Sequence, residues 1–273
     1  MTTPPSAPAP PPLKRLGQHF LIDPNIVRKI VAVAALRPDE PVLEIGPGRG
    51  MLTRALCAAA RSVLALELDP QLVVYARAAL ADCRNLDLRH GDALDFPLQS
   101  LPDGTVVVAN LPYNVSTPLL FKLLEAHARI DRMILMLQTE VAKRLVAKPG
   151  TSDYGILSVL TQYRAEPSLA FRVSPTCFRP QPDVESAVVS LIMRQTPAVQ
   201  VHDDARFTRI VRAAFAHRRK TVSNSLRDEG LRAELISRAM TQADIQPSRR
   251  AETLTLAEFA RLSNAMNNGQ TPV

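Results

Sequence analysis

Four consecutive residues, Asn110-Leu111-Pro112-Tyr113, follow directly on the apolar run Val106-Val107-Val108-Ala109. Their types suit the grip of a planar amine. The amide oxygen of Asn110 and the backbone carbonyl of Leu111 can accept the two N–H bonds of an adenine-type amino group, and Tyr113 offers a ring for the base to stack on. Pro112 stiffens the turn that carries them. A plainer reading of the same four residues is a strand running into a proline-fixed turn with a half-buried tyrosine. What separates the two readings lies some sixty residues upstream.

There, Val42-Leu43-Glu44-Ile45-Gly46-Pro47-Gly48-Arg49-Gly50 reads as a short apolar strand, three of the chain's 10 glycines, and then a helical pattern from Met51. Glycine lets the backbone take positive φ and lets a ligand approach where a Cβ would block it, as in dinucleotide-binding folds. The spacing is G-x-G-x-G and not the G-x-G-x-x-G of the pyrophosphate fingerprint, so the loop suits a nucleoside ligand without phosphates. S-adenosylmethionine meets that description. Gly46 and Gly48 are the candidate contacts for it. Glu67 ends the apolar run Val63-Leu64-Ala65-Leu66, close to the offset of about 20 residues from the glycines at which a carboxylate takes a ribose hydroxyl pair. Asp92, with Ala93, follows a third short run, Leu86 to His90, and can accept from the adenine amine of such a donor. Each carboxylate alone is as well explained as a solvated strand end; in register with the glycine loop they form a nucleoside site. Amine grip and donor site together point to methylation of an exocyclic amino group.

The elements that must position these residues alternate. Apolar, β-branched runs at 42–45, 63–68, 105–109 and 132–137 are each followed by a helix-like stretch, the pattern of an α/β fold with a doubly wound, largely parallel sheet. A helix is expected from Asp23-Pro24-Asn25, where Asp23 can cap and Pro24 can take the first helical position. Leu169–Val173 and Ala187–Ile192, separated by a proline-rich loop and no helix, are expected to form an antiparallel pair at the far side of the sheet. After Thr196-Pro197 the strand signals stop and short helices follow. The expected organisation is a disordered proline-rich tail over 1–13, a Rossmann-like domain over 14–196, a small all-helical domain over 197–263 and a flexible tail over 264–273.

Composition narrows the classes. The 273-residue chain has 46% apolar content, enough for an ordinary core, and no apolar run near the roughly 18 residues of a membrane span. Its first twelve residues hold six prolines and no charged side chain, unlike a signal or transit peptide. Cys57, Cys83 and Cys177 are scattered without C-x-x-C spacing, the usage of reduced thiols in a cytoplasmic protein, and the five histidines are equally dispersed, so no metal site is expected. Net charge is +7. Residues 201–263 carry 12 Lys and Arg against 8 Asp and Glu, and Arg218-Arg219-Lys220 follows an amphipathic pattern through Phe207, Ile210, Val211, Ala214 and Phe215. Three cations at a helix C-terminus are favoured by its dipole; within a chain of this charge phosphate contact with a polyanionic partner is the better reading for the cluster as a whole.

The motifs and their order resemble one family. Lys14-Arg15-Leu16-Gly17-Gln18-His19-Phe20-Leu21, the Glu44–Gly48 loop, Asn110-Leu111-Pro112-Tyr113, Phe178-Arg179-Pro180-Gln181-Pro182-Asp183-Val184-Glu185-Ser186 and Arg250-Ala251-Glu252 are similar to those of the small-subunit ribosomal RNA adenine dimethyltransferases (KsgA/RsmA), over about 14–262. The resemblance implies a Rossmann-like class I methyltransferase that transfers four methyl groups from S-adenosylmethionine to N6 of two adjacent adenosines in a hairpin near the 3′ end of small-subunit rRNA. It implies a late pre-30S particle as partner, a role in ribosome assembly, and a monomer suffices. Carried over by position, Gln18, His19 and Leu21 cover the methionine end of the donor, Glu67 its ribose, and Asp92 with Ala93 its adenine. Phe178 becomes a second wall, so that a flipped adenine lies between Tyr113 and Phe178. His19 stands where many bacterial members have Asn, and Glu185 where Asp is usual. A nearer rival is the erythromycin-resistance group, which shares the clamp but modifies large-subunit rRNA; a rival of another class is an assembly factor whose catalysis is secondary.

Overall fold

The computed structural model describes residues 8–13 and 16–266. Lys14, Arg15, residues 1–7 of the proline-rich tail and residues 267–273 of the C-terminal tail lie outside the described residues. Residues 8–13, expected to be disordered, are instead held by side chains: Arg49 donates to the Pro10 carbonyl at 3.1 Å and the Leu13 amide donates to Gln18 at 2.7 Å.

The described residues form two compact units, one of those up to 142 with 166–195 and the other of 143–165 with those from 196 to 266. The first is built on a seven-stranded sheet. In chain order its strands are β2 (Pro41–Ile45), β3 (Ser62–Glu67), β4 (Leu86–His90), β5 (Thr105–Asn110), β6 (Ile130–Gln138), β7 (Ala165–Val173) and β9 (Ser186–Met193); β1 (Phe20–Leu21) and β8 (Phe178–Arg179) form a separate antiparallel pair. The spatial order is β4-β3-β2-β5-β6-β9-β7. From β4 through β6 every pairing is parallel, and β9 enters antiparallel to β6 with Ser186 opposite Gln138. The expected late pair is thus present as neighbours, but β9 sits inside and β7 at the edge.

α1 (Pro24–Ala34) leads into β2, and the parallel order is made by crossovers that include α2 (Met51–Ala59) between β2 and β3, α3 (Pro70–Ala79) between β3 and β4 and α4 (Ser116–Glu125) between β5 and β6. Two start in the same way. Asp23 accepts from the Asn25 amide at 2.8 Å with Pro24 at the first helical position, and Asp69 accepts from Gln71 at 2.9 Å ahead of Pro70. On one face of the sheet Val42, Val63, Val106, Val108, Ile134, Met136 and Val188 pack with Ile26, Val27 and Ile30 of α1 and Leu52 and Leu56 of α2 in one apolar layer. The chain winds outward from β2 in both directions, to β3 on one side and β5 on the other. A crevice opens at that reversal, outside the C-terminal strand ends; the glycine loop and the Asn110 turn emerge there.

The second unit is helical: α6 (Ile156–Arg164), α7 (Asp204–Phe215), α8 (Val222–Asp228), α9 (Ala233–Gln242) and α10 (Leu256–Ala265), with α5 (Thr139–Val146) carrying the chain into it. Its extent differs from the expected 197–263, because residues 143–165 join it. The reason is aromatic packing: Tyr163 of α6 lies 4.6 Å from Phe207 between ring centroids, Tyr154 contacts Phe215, and Phe215 contacts Phe259. Tyr163 also donates to Asp204, whose other oxygen pairs with Arg164. No described helix is long and apolar enough to cross a membrane.

Candidate active site

One cleft gathers most of the residues singled out above. It is lined by Gln18, His19, Leu21, Gly46, Gly48, Glu67, Asn110, Leu111, Pro112 and Tyr113, together with Glu44, Arg49 and Leu68. Gly48 has φ +57, a conformation that favours glycine, and a Cβ there would lie 3.0 Å from the Phe20 ring, which would have to give way.

Glu67 braces this loop. One of its oxygens accepts the Gly48 amide and the other the Asp69 amide, both at 3.0 Å. The side chain is buried, and that desolvation raises its carboxyl above the usual range despite the amides that favour the anion. Each oxygen keeps a lone pair that a ribose hydroxyl can use. Asp69 in turn accepts from Gln18 at 3.2 Å, so the N-terminal motif is bonded to the helix start beside the glycine loop.

Asn110 is fixed from the same motif. Its amide nitrogen donates to the His19 carbonyl at 3.1 Å, which leaves the amide oxygen as the acceptor available to a ligand amine. The segment is placed by the β1–β8 pair, with Leu21 opposite Phe178 and Phe20 opposite Arg179. Such two-residue strands leave no periodic signal in the sequence. His19 Nδ1 lies 2.8 Å from the Pro180 carbonyl, a contact that needs a proton on that nitrogen. Its ring stacks on Tyr113 at 5.4 Å and 25°.

Three expected residues are placed otherwise. Phe178 is 2% exposed, belongs to the apolar layer under α1 and is not among the residues that line the cleft; the ring facing Tyr113 is that of His19. Asp92 and Ala93 do not line the cleft. They stand beside it, since the Gly91 amide donates to the Glu67 carbonyl at 2.9 Å, but Asp92 accepts from its own Leu94 amide at 2.8 Å and Ala93 is buried.

Sequence reasoning passed over Glu44. It lines the cleft, is 1% exposed, and has one carboxylate oxygen buried without a hydrogen-bond partner. Burial, with the Glu67 carboxylate adding to it, pushes its pKa up to about 8. The signal was a lone charge inside the strand Val42-Leu43-Glu44-Ile45, where a purely structural sheet would carry an apolar residue.

In the helical unit Arg218 and Arg219 line a depression with Arg250, Glu252 and the Gly150-Thr151-Ser152 turn. Lys220, the third expected cation, is absent from that lining and pairs with Asp228 at 2.5 Å. Arg250, itself 4.0 Å from Glu252, lines the depression instead.

Against this geometry, residues 13–268 match the family model described as ribosomal RNA adenine dimethylase. The chain is 46% identical over 266 residues to the ribosomal RNA small subunit methyltransferase A of Geobacillus sp. (strain WCH70), covering 93% of this chain and 91% of the relative. This chain belongs to the ribosomal RNA adenine dimethylase family. Two solved structures share the fold: a dimethyladenosine transferase from Plasmodium falciparum (TM-score 0.77, 25% identity, 89% of this chain and 96% of that one) and the 23S rRNA methyltransferase ErmE (TM-score 0.69, 28% identity, 91% and 100%). As a member of the family the chain is a ribosomal RNA methyltransferase that uses S-adenosylmethionine. The cleft fits that donor: a left-handed glycine loop lets a ligand approach the backbone, and an orphaned buried carboxylate oxygen on Glu44 suits a molecule bearing an ammonium and a sulfonium.

Proposed function

We propose that the protein methylates N6 of two adjacent adenosines near the 3′ end of small-subunit rRNA, to the dimethyl state, acting on a pre-30S particle. The observation that carries this is the opening of the Asn110–Tyr113 turn onto the same cleft as the glycine loop, with the Asn110 amide oriented as an acceptor.

Bound S-adenosylmethionine supplies an electrophilic methyl group on sulfur. The chain's own residues do the rest by position. The Asn110 oxygen and the Leu111 carbonyl accept the amine hydrogens, which draws the nitrogen lone pair out of conjugation with the ring and toward the methyl group. Tyr113 carries the base, which takes the face now covered by the His19 ring. No general base is required, because the proton can leave after transfer. Gln18, His19 and Leu21 close over the methionine end, and Gly46, Gly48 and Glu67 hold the nucleoside. Arg218, Arg219 and Arg250, with the hydroxyls of Thr151 and Ser152, supply a phosphate-binding surface.

The test is tritiated methyl transfer to purified 30S particles lacking the modification, with 50S particles in parallel and mass spectrometry of the nucleosides. Dimethyladenosine on 30S particles alone is expected. Label on 50S particles would assign the protein to the activity named for ErmE, and particle binding without label would make it an assembly factor.

A further inference from the structure

We infer that Ser186 is a positioning residue for methyl transfer, acting through Tyr113. The inference rests on the reading of Tyr113 as the platform for the target base and adds to it the device that keeps the platform from swinging.

The hydroxyls of Ser186 and Tyr113 lie 2.6 Å apart, and either can donate. Ser186 is fully buried and opens β9, where the backbone is locked in antiparallel register with Gln138 of β6. The preceding carbonyl, that of Glu185, accepts from the Thr139 amide at 2.9 Å. Ser186 is therefore a fixed point of the sheet. Tyr113 has no such support of its own. It stands in the turn between β5 and α4, half-buried, tethered by the Val115 amide on the Pro112 carbonyl and the Ser116 hydroxyl on its own carbonyl. A tyrosine ring has two rotatable bonds, and because its hydroxyl oxygen lies on the axis of the second, holding that oxygen fixes where the long axis of the ring points and stops the ring from swinging as a whole. The hydroxyl pair provides that hold from the strand two places away, across β6.

The second constraint on the ring, the stacked His19, can give way, since that face must open to admit a base. The Ser186 bond lies at the ring's edge, away from the stacking face, and can persist when a base arrives. Stacking tolerates sliding and tilt, whereas the amine must meet both acceptors and the methyl group at once, so a platform free to swing costs rate more than affinity.

The experiment compares Ser186→Ala, Tyr113→Phe, the double variant and Tyr113→Ala in methyl transfer to undermethylated 30S particles, with S-adenosylmethionine binding by calorimetry and melting temperature measured on each. Each single hydroxyl deletion is expected to lower kcat about tenfold, near 1.4 kcal/mol in the barrier, with donor affinity and the KM for particles changed little. The double variant is expected to be no slower than either single one. Tyr113→Ala is expected to lose far more. Full kcat in Ser186→Ala beside an inactive Tyr113→Ala would overturn the positioning role alone. Multiplying losses in the double variant would also overturn it, because the hydroxyls would then act separately, as would a loss of donor binding equal to the loss of kcat. Full activity in Tyr113→Ala would remove the platform reading and this inference with it.

Discussion

Glu44 offers the sharpest quantitative test of the donor site. Its carboxyl is 1% exposed, has an oxygen without a partner, and is pushed up to about 8 by burial and by the neighbouring Glu67. At pH 7 the group is one unit below that value, so about nine-tenths of the free protein carries it protonated. A ligand that brings an ammonium or sulfonium against it favours the anion and returns the carboxyl toward its ordinary value of 4.5. Binding at pH 7 should then release about 0.9 proton from this group alone, and ionising it costs about 1.4 kcal/mol per pH unit below 8. The assay is calorimetric titration with S-adenosylmethionine in two buffers of different ionisation enthalpy, on the wild type and on Glu44→Gln. Any titration of the ligand's own amine is common to both proteins and cancels in the difference. Equal proton release by the two would refute the reasoning. The sign for stability is the reverse of a normal carboxylate. A folded-state pKa raised above the unfolded one gives stability that is fully present below about 4.5 and is lost as pH rises through 8, so the free wild type should lose melting temperature between pH 6 and 9 more steeply than Glu44→Gln.

Asn110→Ala should lower kcat on the order of a hundredfold and weaken donor binding only a few-fold, because only the former needs the amide oxygen; equal losses in rapid-quench turnover and calorimetry would contradict that division. Arg132→Ala should destabilise by about 1.5–3 kcal/mol, since it removes charge-assisted bonds to a buried carboxylate that keeps only Arg37, at 2.8 Å: Arg132 reaches both oxygens of Glu40 at 2.8 and 2.7 Å and also caps the carbonyls of Ala34 and Ala35. The side-chain bonds from Arg132 hold Glu40 down to about 2, so this contribution is present above 4.5 and lost as pH falls through 2; a gap in urea stability that does not narrow on acidification would refute it. Replacing Arg218, Arg219 and Arg250 together by Ala should weaken 30S binding and flatten its salt dependence by about one in log–log slope for each phosphate left without its cation, while Lys220→Ala should change the slope little; filter binding across a salt series decides, and the opposite ranking would return the phosphate-binding role to Lys220.

The sequence by itself determined the alternation of strand and helix that builds a largely parallel sheet, the glycine loop, the capped start of α1 and the Asn110–Tyr113 turn. All of these are written in short-range patterns: short continuous apolar runs, a cap followed by proline, glycines where φ turns positive. It also carried Glu44 in plain view as a charge inside an apolar strand. Tertiary structure alone decided which of the expected residues face the cleft. Phe178 reads as a free aromatic beside prolines, yet pairing of two-residue strands 157 positions apart turns it into the core and leaves His19 on Tyr113. Likewise Lys220 follows directly on Arg218 and Arg219 but has Asp228 within reach, and residues 143–165 join the helical unit because Tyr154 and Tyr163 find partners beyond residue 204. A side chain's direction at a strand end, and the partner of a surface cation, depend on groups distant in the chain. Local periodicity holds no record of them.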